Sequence, residues 1–534
     1  MSTRYENALD LVENAFKQYK SHPAYTCMGK TLTYEELDEL SDRLASYLRN
    51  DLGMNEGDHF AIQLPNILQF PVAMTAALKA GLVIVNVNPL YTPREVRHQL
   101  KDSCVSALLL LSNIADNAAE IIKDTSVKHV IVTDIADLHG FPKKQLINFA
   151  VKYIKKMIPE FHFDHSVSFS RTISNPTKPF KRPSLTSDSL MVLQYTGGTT
   201  GVSKGAMLTH GNLTSNVWQM MSHMPVAFTP GKEVFIASLP LYHIYALNFH
   251  GLSSLACGAH NILIPNPRDL PAMVKTLRSV SMTVFVGINT LFTALCRYPD
   301  FKKVDFSALK ITSSGGMALT EDAAKTWHKV TGCKVLEGYG LTETSPVLTG
   351  NITEDIRLGT IGLAVPETEI RLINEEGKDC EPGEVGELCA RGPQVMAGYW
   401  KRPKETENVM FDNGFFRTGD MAIKTEDDFY KIVDRKKDMI IVSGFNVYPN
   451  EVEDVACQHP KIIEAAAVGI DDEGSGEVVK LFVVREDDSL SQEDVRDFCR
   501  TKLTGYKIPK VVEFREELPK SNVGKILRRE LREN

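Results

Sequence analysis

A chain of 534 residues with 43% hydrophobic and 24% charged residues has ordinary globular composition, which excludes a mainly disordered, collagenous or coiled-coil molecule. At roughly 150 residues per domain, the length points to about two to four domains. Sixty Lys and Arg against 67 Asp and Glu leave a formal net charge of -7, which argues against a nucleic-acid partner bound through general cationic character.

The chain opens Met1-Ser2-Thr3-Arg4-Tyr5-Glu6, with no apolar signal-peptide core. Glu36 to Asn50 has the pattern of an amphipathic helix. Phe70 to Leu90 is the most apolar stretch, but Pro71, Lys79, Asn86 and Asn88 interrupt it. It reads as a buried helix followed by a strand, and no run of about 18 apolar residues exists to cross a membrane. Val130-Ile131-Val132, Met191 to Gln194, Val234 to Ala237 and Val284-Phe285-Val286 read as buried strands, and Thr320 to Val330 as another helix. This alternation predicts an α/β fold with largely parallel sheets flanked by helices. Beyond about residue 437 the units shorten. Ala465 to Val468, Val478 to Val484 and Val511 to Phe514 read as strands, and Ser491 with Asp494 forms a capping box. That pattern predicts a small α+β domain after the charged run Asp434-Arg435-Lys436-Lys437-Asp438.

Between Pro142 and Pro159, Leu146, Ile147, Ala150, Val151, Ile154, Met157 and Ile158 fall on one helical face, and Lys144, Lys152, Lys155 and Lys156 on the other. The pattern suits a helix lying on an anionic membrane surface. It equally suits a surface helix packed on its own domain with solvated lysines. None of the nine cysteines forms a C-x-x-C pair, which fits a reducing cytoplasm. His162-x-x-His165 is the one close histidine pair and has mixed neighbours.

The sharpest signal is Tyr195-Thr196-Gly197-Gly198-Thr199-Thr200-Gly201-Val202-Ser203-Lys204-Gly205, directly after a strand. Glycines let backbone N–H groups approach an anion closely, and the threonine hydroxyls and Lys204 add donors and charge. It is a phosphate cradle. It is not the usual P-loop, because Ser203 rather than Gly precedes the lysine. The loop resembles the signature of the adenylate-forming superfamily of acyl-CoA synthetases, luciferases and peptide-synthetase adenylation domains. Gly197 and Ser203 stand where that signature commonly has Ser and Pro.

Further motifs follow in the order this resemblance implies. Ser313-Ser314-Gly315-Gly316-Met317 is expected along the adenine. In Glu337-Gly338-Tyr339-Gly340-Leu341-Thr342-Glu343-Thr344, the resemblance implies Tyr339 stacking on adenine, Thr342 contacting the α-phosphate and Glu343 holding Mg²⁺ with Thr196. Asp420 in Phe416-Arg417-Thr418-Gly419-Asp420 is similar to the carboxylate that accepts the ribose hydroxyls, with Ile432 and Arg435 beside the nucleotide. Asp428 stands where the family commonly has a turn glycine, so a local difference is expected in that hairpin. Lys437 occupies the hinge position. Lys525, in Ser521-Asn522-Val523-Gly524-Lys525, matches the catalytic lysine.

Longer strings resemble the bacterial long-chain fatty-acid–CoA ligases. They include Asn86-Val87-Asn88-Pro89-Leu90-Tyr91-Thr92-Pro93 and Pro240-Leu241-Tyr242-His243-Ile244. The resemblance implies an acyl pocket at Tyr242, His243, Tyr245 and Leu247, with His243 near the carboxylate; a buried core histidine is the alternative for that residue. It implies fatty acid, ATP and coenzyme A as substrates, with Mg²⁺. It further implies a large domain over residues 1–436 and a mobile domain over 437–534. That small domain would carry a coenzyme A face at Ser443, Gly444 and Phe445. Peripheral contact with an anionic membrane and a homodimer stay open.

Overall fold

The computed structural model of the chain describes residues 3–174, 176–196, 203–472, 475–520 and 526–532. The apolar runs build two large sheets, of eight and nine strands. Ala107–Leu111 shows why such runs lack polar alternation. Ala107, Leu109 and Leu111 enter one core, while Leu108 and Leu110 enter another on the opposite face. A strand covered on both faces must be apolar at every position. His129–Thr133 runs parallel beside it. In the nine-stranded sheet Val234–Ala237, Val284–Gly287 and Ile311–Ser314 lie parallel and adjacent. The main core fills the space between the sheets, joining Ile84, Leu109 and Val192 to Phe235, Val284 and Val286. The architecture is α/β, as expected.

Antiparallel strands meet both parallel sets. Lys204–Thr209 returns beside Leu190–Thr196, and Val347–Gly350 beside Val335–Gly340. The strand Val335–Gly340 runs into the motif that begins at Glu337. It continues to Gly340 because glycine lets the partner strand come close: a Cβ at Gly340 would lie 1.8 Å from the Pro346 carbonyl oxygen.

The helix Gln69–Ala80 buries all twelve of its residues and stops at Gly81, whose φ of +71° is left-handed. Its Lys79 is fully buried and is neutralised by Asp42 at 3.0 Å and by Asp38. The strand Val83–Asn86 follows. Thr320 caps the helix Glu321–Thr331 by accepting from the Ala323 N–H.

A four-stranded antiparallel sheet ends with Tyr430–Arg435. After the turn Lys436–Asp438, Ile440–Val442 begins a five-stranded sheet with a core of its own. The two strands expected near 465 and 478 form one long hairpin, Ile462–Asp472 and Gly476–Arg485. Ser491 and Asp494 make the expected capping box.

Asp428 adopts a φ of +67°, the left-handed conformation that a turn glycine supplies. The hairpin therefore keeps that conformation without glycine, and the Asp428 carboxylate pairs with Lys424 at 2.7 Å.

The segment after Pro142 departs from its expected geometry. It is an α-helix over Lys143–Phe149 continued by a π-turn over Ala150–Ile154, and neither part buries a residue. The π-turn shifts the helical phase, so the apolar face differs from the one that 3.6-residue spacing gives. Phe141, Leu146, Phe149, Tyr153, Ile154 and Met157 are exposed, with Ile154 70% accessible, while Ile147 and Val151 are half-buried. Lys144 is turned inward to Asp137 at 3.0 Å, and Lys152, Lys155 and Lys156 are exposed.

Candidate active site

The C-terminal ends of both parallel sheets, the four-stranded sheet and the small C-terminal unit enclose one cleft of about 3190 Å³. Thr196 ends the strand Leu190–Thr196 and is paired in register with Lys204, so the two ends of the glycine-threonine loop face each other across an antiparallel pair. Gly197, Gly198, Thr199, Thr200 and Gly201 lie outside the described residues. Tyr195 lines the cleft, and its hydroxyl donates to Asp102 at 2.7 Å. Its ring backs Gly205, where a Cβ would come within 3.1 Å. Tyr195 therefore braces the start of the returning strand Lys204–Thr209. Lys204 pairs with Glu405 and lies 5.1 Å above the Tyr399 ring.

Thr342, Glu343 and Thr344 form a 3-10 turn directly beyond Gly340. Glu343 is buried, and its Oε1 accepts from the Tyr399 hydroxyl at 2.7 Å. Burial holds its carboxyl above the usual range, opposed by that hydrogen bond. Tyr399 lies 56 residues away in sequence, and the motifs give no sign of it. Glu337 accepts from the Leu319 N–H at 3.0 Å, and burial pushes its carboxyl up to about 7.

Asp420 is also buried. One oxygen accepts from the Tyr339 hydroxyl at 2.7 Å, and the other faces Arg435 Nε at 3.3 Å. Tyr339, Asp420 and Arg435 are thus brought together from three strands, with Gly338 and Ile432 on the same wall. Gly315 and Gly316 form the facing edge. The Tyr245 ring lies on Gly315, where a Cβ would come within 3.2 Å, and its hydroxyl is 2.8 Å from Ser313 Oγ.

His243 caps the short helix Ile244–Ala246, its Nδ1 accepting from the Tyr245 N–H at 3.3 Å. Burial holds the imidazole down to about 4, so it is neutral at physiological pH. Tyr242 lines the same wall, and its carbonyl accepts from Gln194 at 3.0 Å. Leu247 corrects an expectation. It is fully buried, does not line the cleft, and packs toward Met74 and Gly251. It begins the π-turn Leu247–Ser253, which places Phe249 on the cleft instead. Met220, Met224 and Val347 add to this apolar end.

Lys437 lines the cleft, but Ser443, Gly444 and Phe445 do not. They form an exposed turn on the small unit, with φ of +50° at Ser443 and +82° at Gly444, and Phe445 stacks on Tyr506 at 4.8 Å. Lys525 lies outside the described residues.

The profile of the AMP-binding enzyme matches residues 12–400, and that of the AMP-binding enzyme C-terminal domain matches residues 451–525. The chain belongs to the AMP-binding enzyme family. Among its relatives, the long-chain-fatty-acid–CoA ligase of Escherichia coli O157:H7 is 49% identical, over 99% of this chain and 95% of that one. The protein of that description from Bacillus subtilis (strain 168) is 36% identical over 98% and 93%. The crystal structure of ATP-bound MatB from Rhodopseudomonas palustris superposes on this AMP-binding enzyme with a TM-score of 0.86 at 29% identity, covering 99% and 98% of the two chains. For apo MatB the TM-score is 0.76.

Proposed function

We infer that this chain activates long-chain fatty acids as coenzyme A thioesters in two steps through an acyl-adenylate. It is an ATP-dependent ligase. The fatty carboxylate attacks the α-phosphorus of ATP and pyrophosphate leaves. The thiol of coenzyme A then attacks the acyl carbon and AMP leaves. The reading rests on one continuous cleft whose apolar end, at Met220, Phe249 and Val347, meets the nucleotide motifs at His243 and Gly315. Near-half identity to the Escherichia coli ligase over the full chain supports it.

Asp420 offers acceptor oxygens for a ribose diol, held in place by Tyr339 and Arg435. His243 is neutral, so it meets a carboxylate or acyl-adenylate as a hydrogen-bonding group and not as a cation. Glu343 and the Thr196 hydroxyl suit a hard cation. No group of three or more acidic, His or Cys side chains gathers as a cage among the described residues, and Mg²⁺ characteristically takes one or two protein carboxylates plus phosphate oxygens. When bound, such an ion neutralises phosphate charge. Lys525 supplies the positive charge for adenylation, and residues 437–534 turn about Lys437 to bring the Ser443-Gly444-Phe445 face to the cleft for the second step. Glycine at 444 lets an extended pantetheine arm pass close to the backbone.

Pyrophosphate release on adding palmitate and ATP tests the reading. Release that depends on both, with multiple turnover only when coenzyme A is present, is the expected outcome. Turnover with short-chain acids alone would overturn the chain-length assignment.

Separately, we propose that the enzyme contacts an anionic membrane surface, where its substrate partitions. No described helix is long and apolar enough to cross a membrane. The support is the helix Lys143–Phe149 with its π-turn, which presents Phe149, Tyr153 and Ile154 beside Lys152, Lys155 and Lys156. At about 1 kcal/mol per basic residue near anionic lipid, changing all three lysines to Glu weakens binding tenfold or more in sedimentation with phosphatidylglycerol vesicles. Unchanged binding would refute this surface.

A further inference from the structure

The turn Lys436–Asp438 separates Asp434 from the small C-terminal unit, yet Asp434 is buried among groups of that unit. One of its oxygens accepts from the Asn450 backbone N–H at 2.7 Å. Asn450 lies in the first turn of the helix Pro449–Cys457, which has no side-chain cap of its own from Tyr448. The carboxylate therefore caps a helix that belongs to the other unit, where a negative charge is favoured. The other oxygen accepts from the Arg435 N–H at 2.7 Å and lies 3.7 Å from Arg528 Nη1.

Arg528 gathers the rest of the cluster. It binds Glu453 through Nε at 3.0 Å and Nη2 at 2.7 Å, donates to Asn450 Oδ1 at 2.6 Å and lies 3.7 Å from Asp438. Arg532 adds a contact to Asp438 at 3.1 Å. Glu453, Arg528 and Arg532 move with the small unit, Asp434 stays with the strand Tyr430–Arg435, and Asp438 sits in the turn between them. A buried carboxylate is costly unless paired, so Asp434 favours the orientation that supplies Asn450 and Arg528. Once the small unit turns, those partners leave and Asp434 meets water. A contact that differs between two orientations biases the equilibrium between them.

We propose that Asp434 and Arg528 form an interdomain latch that holds the small unit in the adenylation orientation. The two residues act by positioning. Arg528 lies three residues beyond Lys525, so the latch fixes the base of the segment carrying that lysine. Lys520 and Ile526, which flank residues 521–525, line the cleft in this orientation. The proposal rests on the two-step reading above.

The test measures both half-reactions in Asp434→Asn and Arg528→Met: pyrophosphate exchange for adenylation, and thioester formation from supplied palmitoyl-AMP. Exchange falls tenfold or more in each variant, while thioester formation stays within twofold of wild type or rises. A simple loss of folding would lower both equally. Arg528→Met leaves several carboxylates unpaired, so if it does not fold, Asp434→Asn decides, because it keeps the shape and one of the two acceptor oxygens while removing the charge. Equal loss in both half-reactions, or no loss, in Asp434→Asn overturns the latch. Lys525→Ala run in parallel distinguishes the levels. If it separates the half-reactions and Asp434→Asn does not, the latch alone fails; if Lys525→Ala does not separate them, the two-step reading fails.

Discussion

Lys525→Ala lowers acyl-adenylate formation by about 10²–10³-fold and leaves thioester formation from supplied acyl-AMP largely intact. The first step gathers negative charge between the fatty carboxylate and the α-phosphate, and a positioned cation is strongest where charge develops in the transition state. In the second step the leaving AMP already carries its charge, and the thiol needs an open path to the acyl carbon. Lys520 and Ile526, on either side of Ser521–Lys525, are bridged to each other, and both line the cleft. That bridge sets the ends of the segment at the site. A lysine suits the task as a compact charge on a flexible stem. Single-turnover assays of each half-reaction decide the matter, and equal loss in both refutes the role.

Much of the fold was legible because strands buried on both faces carry a strong local signal, as at Val234–Ala237 and Val284–Gly287. Gly315, Tyr339, Glu343 and Asp420 were singled out because their strings resemble the family's, and all four line the same cleft. Their partners were not legible. Tyr399 on Glu343 and Asp102 on Tyr195 are contacts across 56 and 93 residues, which no local pattern encodes. Two π-turns separate expectation from structure, one at a pocket residue implied by resemblance and one on a face read from helical spacing. The π-turn at Leu247–Ser253 exchanges Leu247 for Phe249 at the cleft, and the π-turn at Ala150–Ile154 changes which apolar side chains face solvent. A periodicity of 3.6 residues fails wherever the backbone leaves the α-helix. The Asp434 cluster was hidden for another reason: in sequence it is one charge in a charged run, whereas the two units bury Asp434 between them.

Glu343→Gln lowers adenylation about a hundredfold or more, an effect of the size seen when one electrostatic contact to a reacting centre is lost. Gln keeps the volume and still accepts from Tyr399, so the variant isolates the negative charge. If Glu343 binds Mg²⁺, the ion concentration needed for half-maximal exchange rises together with the loss of rate. A fall in rate with unchanged Mg²⁺ dependence would remove Glu343 from the metal site. Tyr399→Phe gives a finer measurement at the same carboxylate. Burial raises the Glu343 carboxyl and the Tyr399 hydrogen bond opposes that rise by stabilising the ionised form. Removing the hydroxyl lifts the carboxyl further, so the charge is lost at a higher pH as the solution is acidified. The acidic limb of the adenylation profile therefore moves to higher pH in Tyr399→Phe and disappears as a Glu343 titration in Glu343→Gln. An acidic limb that stays in place in both variants would assign it to another group.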